Sequence, residues 1–346
     1  MSHVRVVRKL VSFAAIGGGG LVGAGVAAFG VLAAEAALAR HMIGPRRRSA
    51  PYDDGLYGPR RTGTSLRYVM IGDSSAAGLG LDSSLETPGA LIAQAIVDAA
   101  DRPVRFVNVA TVGARSADLE QQVSRALMIR PHVVTVMIGA NDVTHLGRPQ
   151  AAVGALGQAV FRLVNGGSQV VVGTCPDIGS IGPILPPLRN VARRLSRQLA
   201  AAQTVAVVEA GGRSVSLAHL LGPRFAAEPE VMFGSDRFHP SREGYAAAAQ
   251  VLLPSVLAAL DLPAVRPPVT DVSTLGREIL PVVRAADVAS DEAGTEVAGT
   301  RVAGDERGPM GRWALVVHRP APELPAAEPP SPLASESVPV EPDGPW

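Results

Sequence analysis

With 346 residues, the chain is long enough for one sizeable α/β domain with extensions, or for two small domains. The net charge of +1 gives no reason to expect nucleic acid as a partner, and the single cysteine, Cys175, excludes an intrachain disulfide and a cysteine-based structural metal site. Aromatic residues make up 4% of the sequence, and 37 glycines and 29 prolines indicate that part of the chain does not fold compactly.

Residues 1–40 have the pattern of a membrane anchor or a signal peptide. A basic N-terminal flank comes before residues 10–34, which carry no charge. Roughly 20 apolar residues suffice to span a bilayer, whereas the core of a signal peptide is usually about 7–15 residues long, so the length favours an anchor. A cleaved signal peptide stays open as an alternative, because residues 37–39 (Ala-Leu-Ala) have the small-x-small form of a cleavage site.

The segments that flank the predicted domain, residues 66–260, differ from it in composition. Residues 41–65 form a predicted basic linker, a candidate for contact with anionic lipid headgroups. Residues 261–319 form a C-terminal extension, in which short strand patterns predict a hairpin that docks Trp313 on the main domain. Residues 320–346 are rich in proline and are predicted to be a disordered tail, because they offer little apolar surface to bury.

Within residues 66–260, strand patterns alternate with helical patterns. Short apolar runs predict strands at residues 68–71, 104–109, 133–138, 169–173 and 204–208. Apolar residues at three- and four-residue spacing predict helices at residues 88–100, 116–128, 150–164, 187–202 and 241–260. Repeated strand–helix units predict an α/β fold with a parallel sheet and helices on both of its faces.

The residues with the most distinctive chemistry follow the ends of predicted strands, where ligands bind in open parallel sheets. They are Asp73 and Ser74 after the first strand, Gly113 after the second, Asn141 and Asp142 after the third, and Asp236 and His239 before the last helix. Taken singly, each residue type is also common in turns and helix caps. The prediction of a site therefore rests on their occurring together at one edge of one sheet.

These blocks resemble those of the SGNH hydrolases, also called GDSL-type lipases and esterases. The family's blocks read Gly-Asp-Ser, a loop glycine, Gly-x-Asn-Asp and Asp-x-x-His, and all four occur here in order over residues 66–260, with Ser75 where the name motif has leucine. The resemblance implies a flavodoxin-like three-layer α/β/α sandwich with a five-stranded parallel sheet. It also implies hydrolysis of carboxylic esters through an acyl-enzyme, without a metal or an organic cofactor.

The chemistry of ester hydrolysis explains why these residue types occur together. A serine hydroxyl is a weak nucleophile at neutral pH, so Ser74 needs a general base, which His239 can supply. Asp236, three residues before the histidine, can hold the imidazole ring in one tautomer. The backbone N–H groups of Ser74 and Gly113 and the side-chain amide of Asn141 are the expected oxyanion hole.

Three further residues lie near these blocks. Asp73 and Asp142 are expected to support the site, holding the neighbouring loops by hydrogen bonds rather than reacting. Cys175 is expected to be a small buried residue, because no base is spaced to activate its thiol.

Two other functions fit the same residues. An acyltransferase would use the same triad, with an alcohol in place of water attacking the acyl-enzyme. A non-catalytic module would hold an acylated glycan in the same cleft, although an intact Ser/His/Asp set argues against it. The expected substrate is an ester-bearing small molecule, a lipid or an acylated glycan.

We expect the catalytic domain to lie outside the cytoplasm, because the basic residues before residue 10 keep that end cytoplasmic. The arginines at positions 40 and 46–48 oppose this orientation, but the first flank usually dominates. Protease added to intact cells, or to spheroplasts where an outer layer shields the protein, should digest the domain and leave a cytoplasmic control protein intact. Full protection of the domain in accessible cells would reverse the assignment.

Overall fold

The structure, a computed structural model, describes residues 30–38, 41, 49–145, 147–263, 276–292, 295–308 and 311–318. Most of the predicted anchor, much of the predicted linker before residue 49 and the whole of the predicted tail, residues 320–346, lie outside these described residues. Residues 30–38 are helical. None of the described helices is both long enough and apolar enough to cross a membrane.

A ten-stranded sheet forms the centre of the described structure. Its strands, in chain order, are β1 (Gly55–Tyr57), β2 (Leu66–Gly72), β3 (Val104–Asn108), β4 (Val133–Met137), β5 (Gln169–Gly173), β6 (Arg213–Val215), β7 (Arg277–Pro281), β8 (Glu296–Gly299), β9 (Arg307–Gly308) and β10 (Gly311–Val317). The strands β3, β2, β4, β5 and β6 lie side by side in that order and run parallel. The predicted α/β fold with five parallel strands is therefore confirmed.

Helices cover both faces of this sheet. They are α1 (Pro88–Ala100), α2 (Leu119–Ile129), α3 (Ala140–Thr144), α4 (Pro149–Asn165), α5 (Leu188–Glu209), α6 (Ala218–Ala227), α7 (Pro229–Met232), α8 (Arg242–Ala259) and α9 (Val282–Asp291). Alternate residues of β2 enter opposite cores: Tyr68 and Met70 pack with α1 and α8, whereas Val69 and Ile71 pack with α2 and α4. Because both faces are buried, β2 is a continuous apolar run rather than an alternating one.

The predicted strand at residues 204–208 is wrong. These residues form the last turns of α5, and the fifth parallel strand is β6, which follows a turn at Gly211 and Gly212. Val207 packs in the core shared with α2 and α4, whereas Val208 packs in a third core beside β8 and β10. A helix packed on two sides is apolar around much of its circumference, so its sequence resembles that of a buried strand.

The C-terminal extension continues the central sheet, and its strands β8 and β10 pair antiparallel. β8 pairs antiparallel with β6, and β10 lies between β8 and β7. A third core joins these strands to α5 and α9; its buried members are Val208, Val282, Ala285, Ala289, Val297, Ala314 and Val316. Trp313 lies in β10 and packs closely over Gly308, where a Cβ would come within 2.3 Å of the indole ring.

The predicted linker also differs from the structure in its second half. Residues 49–65 lie against the domain, where β1 pairs antiparallel with β3. Asp53 is buried, and a Cβ on Gly58 would lie 2.4 Å from Cγ1 of Val97 in α1. In the described structure, residues 49–65 therefore pack with the domain, ahead of the boundary predicted at residue 66.

Val297→Ala should lower the free energy of unfolding by roughly 2 kcal/mol, because it removes buried methyl groups from the core that joins β8 to α5. Val283→Ala lies in the same C-terminal extension but at a 58% exposed position, so it should change stability by less than about 0.5 kcal/mol. Urea denaturation of the full chain, followed by circular dichroism, measures both values. Equal effects of the two substitutions would show that these strands are not part of the cooperative domain.

Candidate active site

The turn that carries Ser74 begins at a glycine that no other residue could replace. Gly72, at the end of β2, has a φ of +142°, which L side chains rarely adopt. A Cβ on Gly72 would lie 2.0 Å from the carbonyl oxygen of Met137, at the end of β4. The N–H of Asp73 donates to the same carbonyl at 3.1 Å. This close approach sets the direction in which the chain leaves the sheet toward Ser74.

A side chain that the sequence analysis missed, Gln122 of α2, holds the same glycine. Its Oε1 accepts from the N–H of Gly72 at 2.7 Å, and its Nε2 donates to the carbonyl of Gly72 at 2.9 Å. Gln122 is buried at 3% exposure, between Leu119 and Val123 on the apolar side of the helix. A glutamine at an apolar position of an amphipathic helix is the signal that could have identified it.

Hydrogen bonds inside the turn keep it compact. The carbonyl of Ser74 accepts from the N–H of Leu79 at 3.0 Å, and Oδ1 of Asp73 accepts from the N–H of Ser75 at 2.8 Å. The hydroxyl of Tyr245, from α8, donates to the carbonyl of Leu79 at 2.9 Å. The turn is thereby attached to the helix that follows the predicted Asp-x-x-His block.

That block forms a closed loop between α7 and α8. The N–H of Gly234 donates to the carbonyl of His239 at 2.8 Å, which brings the two ends of the loop together. Oδ1 of Asp236 accepts from the N–H groups of Phe238 and His239 at 3.0 and 2.9 Å. The side chain of Ser241 then caps α8, accepting from the N–H of Gly244. The carboxylate of Asp236 is therefore fixed by its own loop.

The structure brings Ser74, His239 and Asp236 together, although the serine and the histidine are 165 residues apart in sequence. Oγ of Ser74 lies 3.1 Å from Nε2 of His239, and Nδ1 of the same ring lies 2.6 Å from Oδ2 of Asp236. With the proton on Nδ1 donated to the carboxylate, Nε2 accepts from the serine hydroxyl.

The local hydrogen bonds also decide the charge of Asp236. Burial by itself would raise its pKa, but the hydrogen bonds from the His239 ring and from the N–H groups of Phe238 and His239 outweigh burial. The net effect lowers the pKa of Asp236 below its ordinary value. The carboxylate is therefore ionised at neutral pH, next to the ring nitrogen that gains positive charge when the histidine is protonated.

Gly113 lies in the loop after β3, and Asn141 lies in the short helix α3 after β4. Gly113 has a φ of +82° in the loop after β3, and the N–H of Thr111 in that loop donates to the carbonyl of Gly72 at 3.1 Å. Nδ2 of Asn141 donates to the carbonyl of Ala114 at 2.9 Å. That bond uses one of the two amide hydrogens and connects α3 to the Gly113 loop.

The two predicted supporting carboxylates are buried beside these loops. Asp142 accepts from the N–H and the hydroxyl of Ser116, the latter at 2.8 Å, and so joins α3 to the residues before α2. Burial raises the pKa of Asp142, and these hydrogen bonds reduce the rise. Burial also raises the pKa of Asp73, from an ordinary 3.8 to about 6, against the hydrogen bonds of Ser75 and the charge of His239.

Cys175 is a free and fully buried residue at the end of β5. Burial raises the pKa of its thiol well above the usual value, which keeps it protonated and unreactive at neutral pH. Its Cβ lies against the backbone of Gly139, where an added Cβ would approach it to 2.8 Å. The Cys175 side chain packs against the residue that precedes α3, as expected for a small buried side chain.

A known protein family matches the part of the chain that carries these residues. Residues 70–247 match the model of the GDSL-like Lipase/Acylhydrolase family. The GDSL-like esterase Rv1075c of Mycobacterium tuberculosis (strain ATCC 25618 / H37Rv) is 40% identical over 248 residues, which cover 68% of this chain and 79% of that protein. The crystal structure of the lipase/acylhydrolase from Enterococcus faecalis is 18% identical, covers 58% of this chain and 100% of its own, and has a TM-score of 0.42. The crystal structure of TesA is 22% identical, covers 56% of this chain and 97% of its own, and also has a TM-score of 0.42.

Asp73→Asn should stabilise the protein at neutral pH. Because the folded-state pKa of Asp73 is raised to about 6, the folded protein holds this proton more tightly than the unfolded chain does. Stability is therefore lost as the pH rises from about 4 to about 6, and the amide removes that loss, which amounts to at most about 3 kcal/mol.

Urea denaturation at pH 7.5 and at pH 4 measures this effect, with the gain expected at pH 7.5 and largely absent at pH 4. Asp98→Asn, at a half-exposed carboxylate in α1, is the control for the removal of a carboxylate charge, and the gain in Asp73→Asn should exceed any change that this control shows. An Asp73→Asn protein less stable than the wild type at both pH values would mean that the hydrogen bond from Ser75 outweighs burial.

Proposed function

Because the chain belongs to the GDSL-like lipase/acylhydrolase family, we propose that it hydrolyses carboxylic esters with Ser74, His239 and Asp236 as its catalytic triad. The observation that carries the proposal is the pair of contacts at 3.1 and 2.6 Å that link the serine hydroxyl to the imidazole and the imidazole to the carboxylate. These are the contacts that an activated serine nucleophile requires.

In the first step, Oγ of Ser74 attacks the ester carbonyl carbon while Nε2 of His239 takes the hydroxyl proton. The imidazole becomes positively charged, and the ionised Asp236 at its other nitrogen stabilises that charge. His239 then gives the proton to the leaving alcohol as the carbon–oxygen bond breaks. The product of this half-reaction is an acyl ester on Ser74 and a free alcohol.

In the second half-reaction, water replaces the alcohol. His239 takes a proton from the water as its oxygen attacks the acyl carbon, and returns that proton to Oγ of Ser74 as the acyl group leaves as a carboxylic acid. The same three side chains therefore serve both steps, with the histidine alternating between base and acid.

The oxygen that becomes negative in each step needs preorganised donors. We assign this role to the N–H groups of Ser74 and Gly113 and to the side-chain amide of Asn141. The hydrogen bonds of Asn141 to Ala114 and of Thr111 to Gly72 support the assignment, because they hold α3 and the Gly113 loop beside the serine turn. Losing one such donor typically raises the reaction barrier by about 3 kcal/mol.

Hydrolysis and acyl transfer differ only in which nucleophile attacks the acyl-enzyme. The relative at 40% identity is named an esterase, which supports water as the nucleophile here. Product analysis with an added acceptor alcohol distinguishes the two reactions, since a transferase would form the new ester. A chain-length series of p-nitrophenyl esters, run beside acetylated sugars, distinguishes a lipid substrate from an acylated glycan.

Ser74→Ala should reduce ester turnover by at least about three orders of magnitude, and His239→Ala should be comparably severe. The double variant should lose little more than either single one, because the two residues act as a unit. The neighbouring Ser75→Ala is the matched control and should retain most of the activity. Initial rates with p-nitrophenyl acetate are compared between the wild type and these four variants. Wild-type rates in Ser74→Ala would contradict the assignment of the nucleophile.

A further inference from the structure

A buried carboxylate outside the family-matched region lies directly behind the serine turn. Asp53 precedes β1, within the segment that the sequence predicted to be a linker, and is 4% exposed. Its Oδ2 accepts from Oγ1 of Thr87 at 2.6 Å and from Nδ2 of Asn108 at 3.1 Å. A carboxylate is costly to bury unless its oxygens are hydrogen-bonded, so these two donors account for its position.

One of the two donors, Asn108, joins three segments of the chain. It is the last residue of β3, and its Nδ2 also donates to the carbonyl of Ala76 at 3.0 Å, two residues after Ser74. Its Oδ1 accepts from the N–H of Ala110 at 3.1 Å, in the loop that leads to Gly113. One side-chain amide therefore connects the serine turn to the loop of the proposed oxyanion hole.

Asp53 faces the NH2 group of this amide. An ionised carboxylate can only accept hydrogen bonds, so it requires the NH2 group of Asn108 to face it. The carbonyl of Ala76 requires the same orientation, and the amide oxygen is then the atom that faces the N–H of Ala110. With the amide reversed, an NH2 group would face that N–H, and two donors would oppose each other. The carboxylate thus reinforces the one orientation in which both loops are hydrogen-bonded.

The other donor, Thr87, contacts a different part of the turn. Its Oγ1 also accepts from the N–H of Ala90 as the N-cap of α1. Its methyl group packs against Gly78, where a Cβ would lie 2.7 Å from Cγ2 of the threonine. Asp53 is therefore connected to the serine turn at two points, through Asn108 at Ala76 and through Thr87 at Gly78.

We propose that Asp53 is a positioning residue for ester hydrolysis, which acts through Asn108 to hold the Ser74 turn and the Gly113 loop in register. This inference rests on the proposed function of Ser74. The serine and its oxyanion donors must keep a fixed geometry relative to one substrate atom, and a misplacement of about 1 Å can cost about 100-fold in rate. Loss of the carboxylate should therefore reduce kcat more than it changes KM.

The test uses the full chain with Asp53→Ala, which removes the oxygen that accepts from both Thr87 and Asn108. We expect kcat for p-nitrophenyl acetate to fall by about 10- to 100-fold per titrated site, with KM changed by less than about threefold. A p-nitrophenyl phosphonate that labels the serine counts the competent sites, so a smaller folded fraction does not count as a lower kcat.

The matched control is Glu296→Ala, which removes another buried carboxylate held by side chains. Its oxygens accept from Arg213 and from Ser255, both at 2.8 Å, on the side of the sheet formed by β6 and β8. This substitution should lower the melting temperature and leave kcat per site unchanged. If Asp53→Ala behaved in the same way, the carboxylate would be purely structural and the proposal would be overturned.

A second variant covers the case in which Asp53→Ala does not fold. Asn108→Ala removes the amide that connects the two loops and should produce the same fall in kcat; wild-type kcat in a folded Asn108→Ala protein would also overturn the proposal. In the double variant the losses should not add, because Asp53 acts through Asn108. Failure of the proposed function is a separate outcome, seen as retained turnover in Ser74→Ala.

Discussion

The close approach of the Gly72 backbone to the carbonyl of Met137 is the constraint on which the rest of the site depends. It brings the ends of β2 and β4 together more tightly than any side chain at residue 72 would permit. The two hydrogen bonds of Gln122 hold the same glycine through its N–H and its carbonyl. Because the chain must leave β2 in this one direction, Ser74 arrives where His239 can reach it at 3.1 Å.

Four carboxylates surround this turn, and their environments separate their roles. Asp236 receives hydrogen bonds from its own loop and from the imidazole, which lower its pKa and suit it to stabilise a positive ring. Burial raises the pKa values of Asp73, Asp142 and Asp53, whose hydrogen bonds go to backbone groups and neutral side chains. The carboxylate with the lowered pKa is the one proposed for the triad, and the other three hold neighbouring segments of the chain by hydrogen bonds.

The central sheet extends beyond the region that matches the family. β1 covers one edge of the parallel sheet, and β8, β10 and β7 continue it at the other edge, so neither outer parallel strand is left unpaired. The segment before β1 also reaches the active site through Asp53. The active-site geometry therefore depends on residues outside the repeating strand–helix units, which a shortened protein beginning at residue 66 would lack.

The sequence by itself determined the parallel α/β architecture and the residues that meet at its edge, because apolar strand runs, helical spacing and the four short blocks are all local patterns. Only the tertiary structure decided that residues 204–208 are helical, since a helix packed between two cores is as apolar as a buried strand. It alone identified Asp53, whose partners lie 34 and 55 residues away. The physical reason is the same in both cases: burial and hydrogen-bond partners are properties of packing between distant segments, and a local pattern does not contain them.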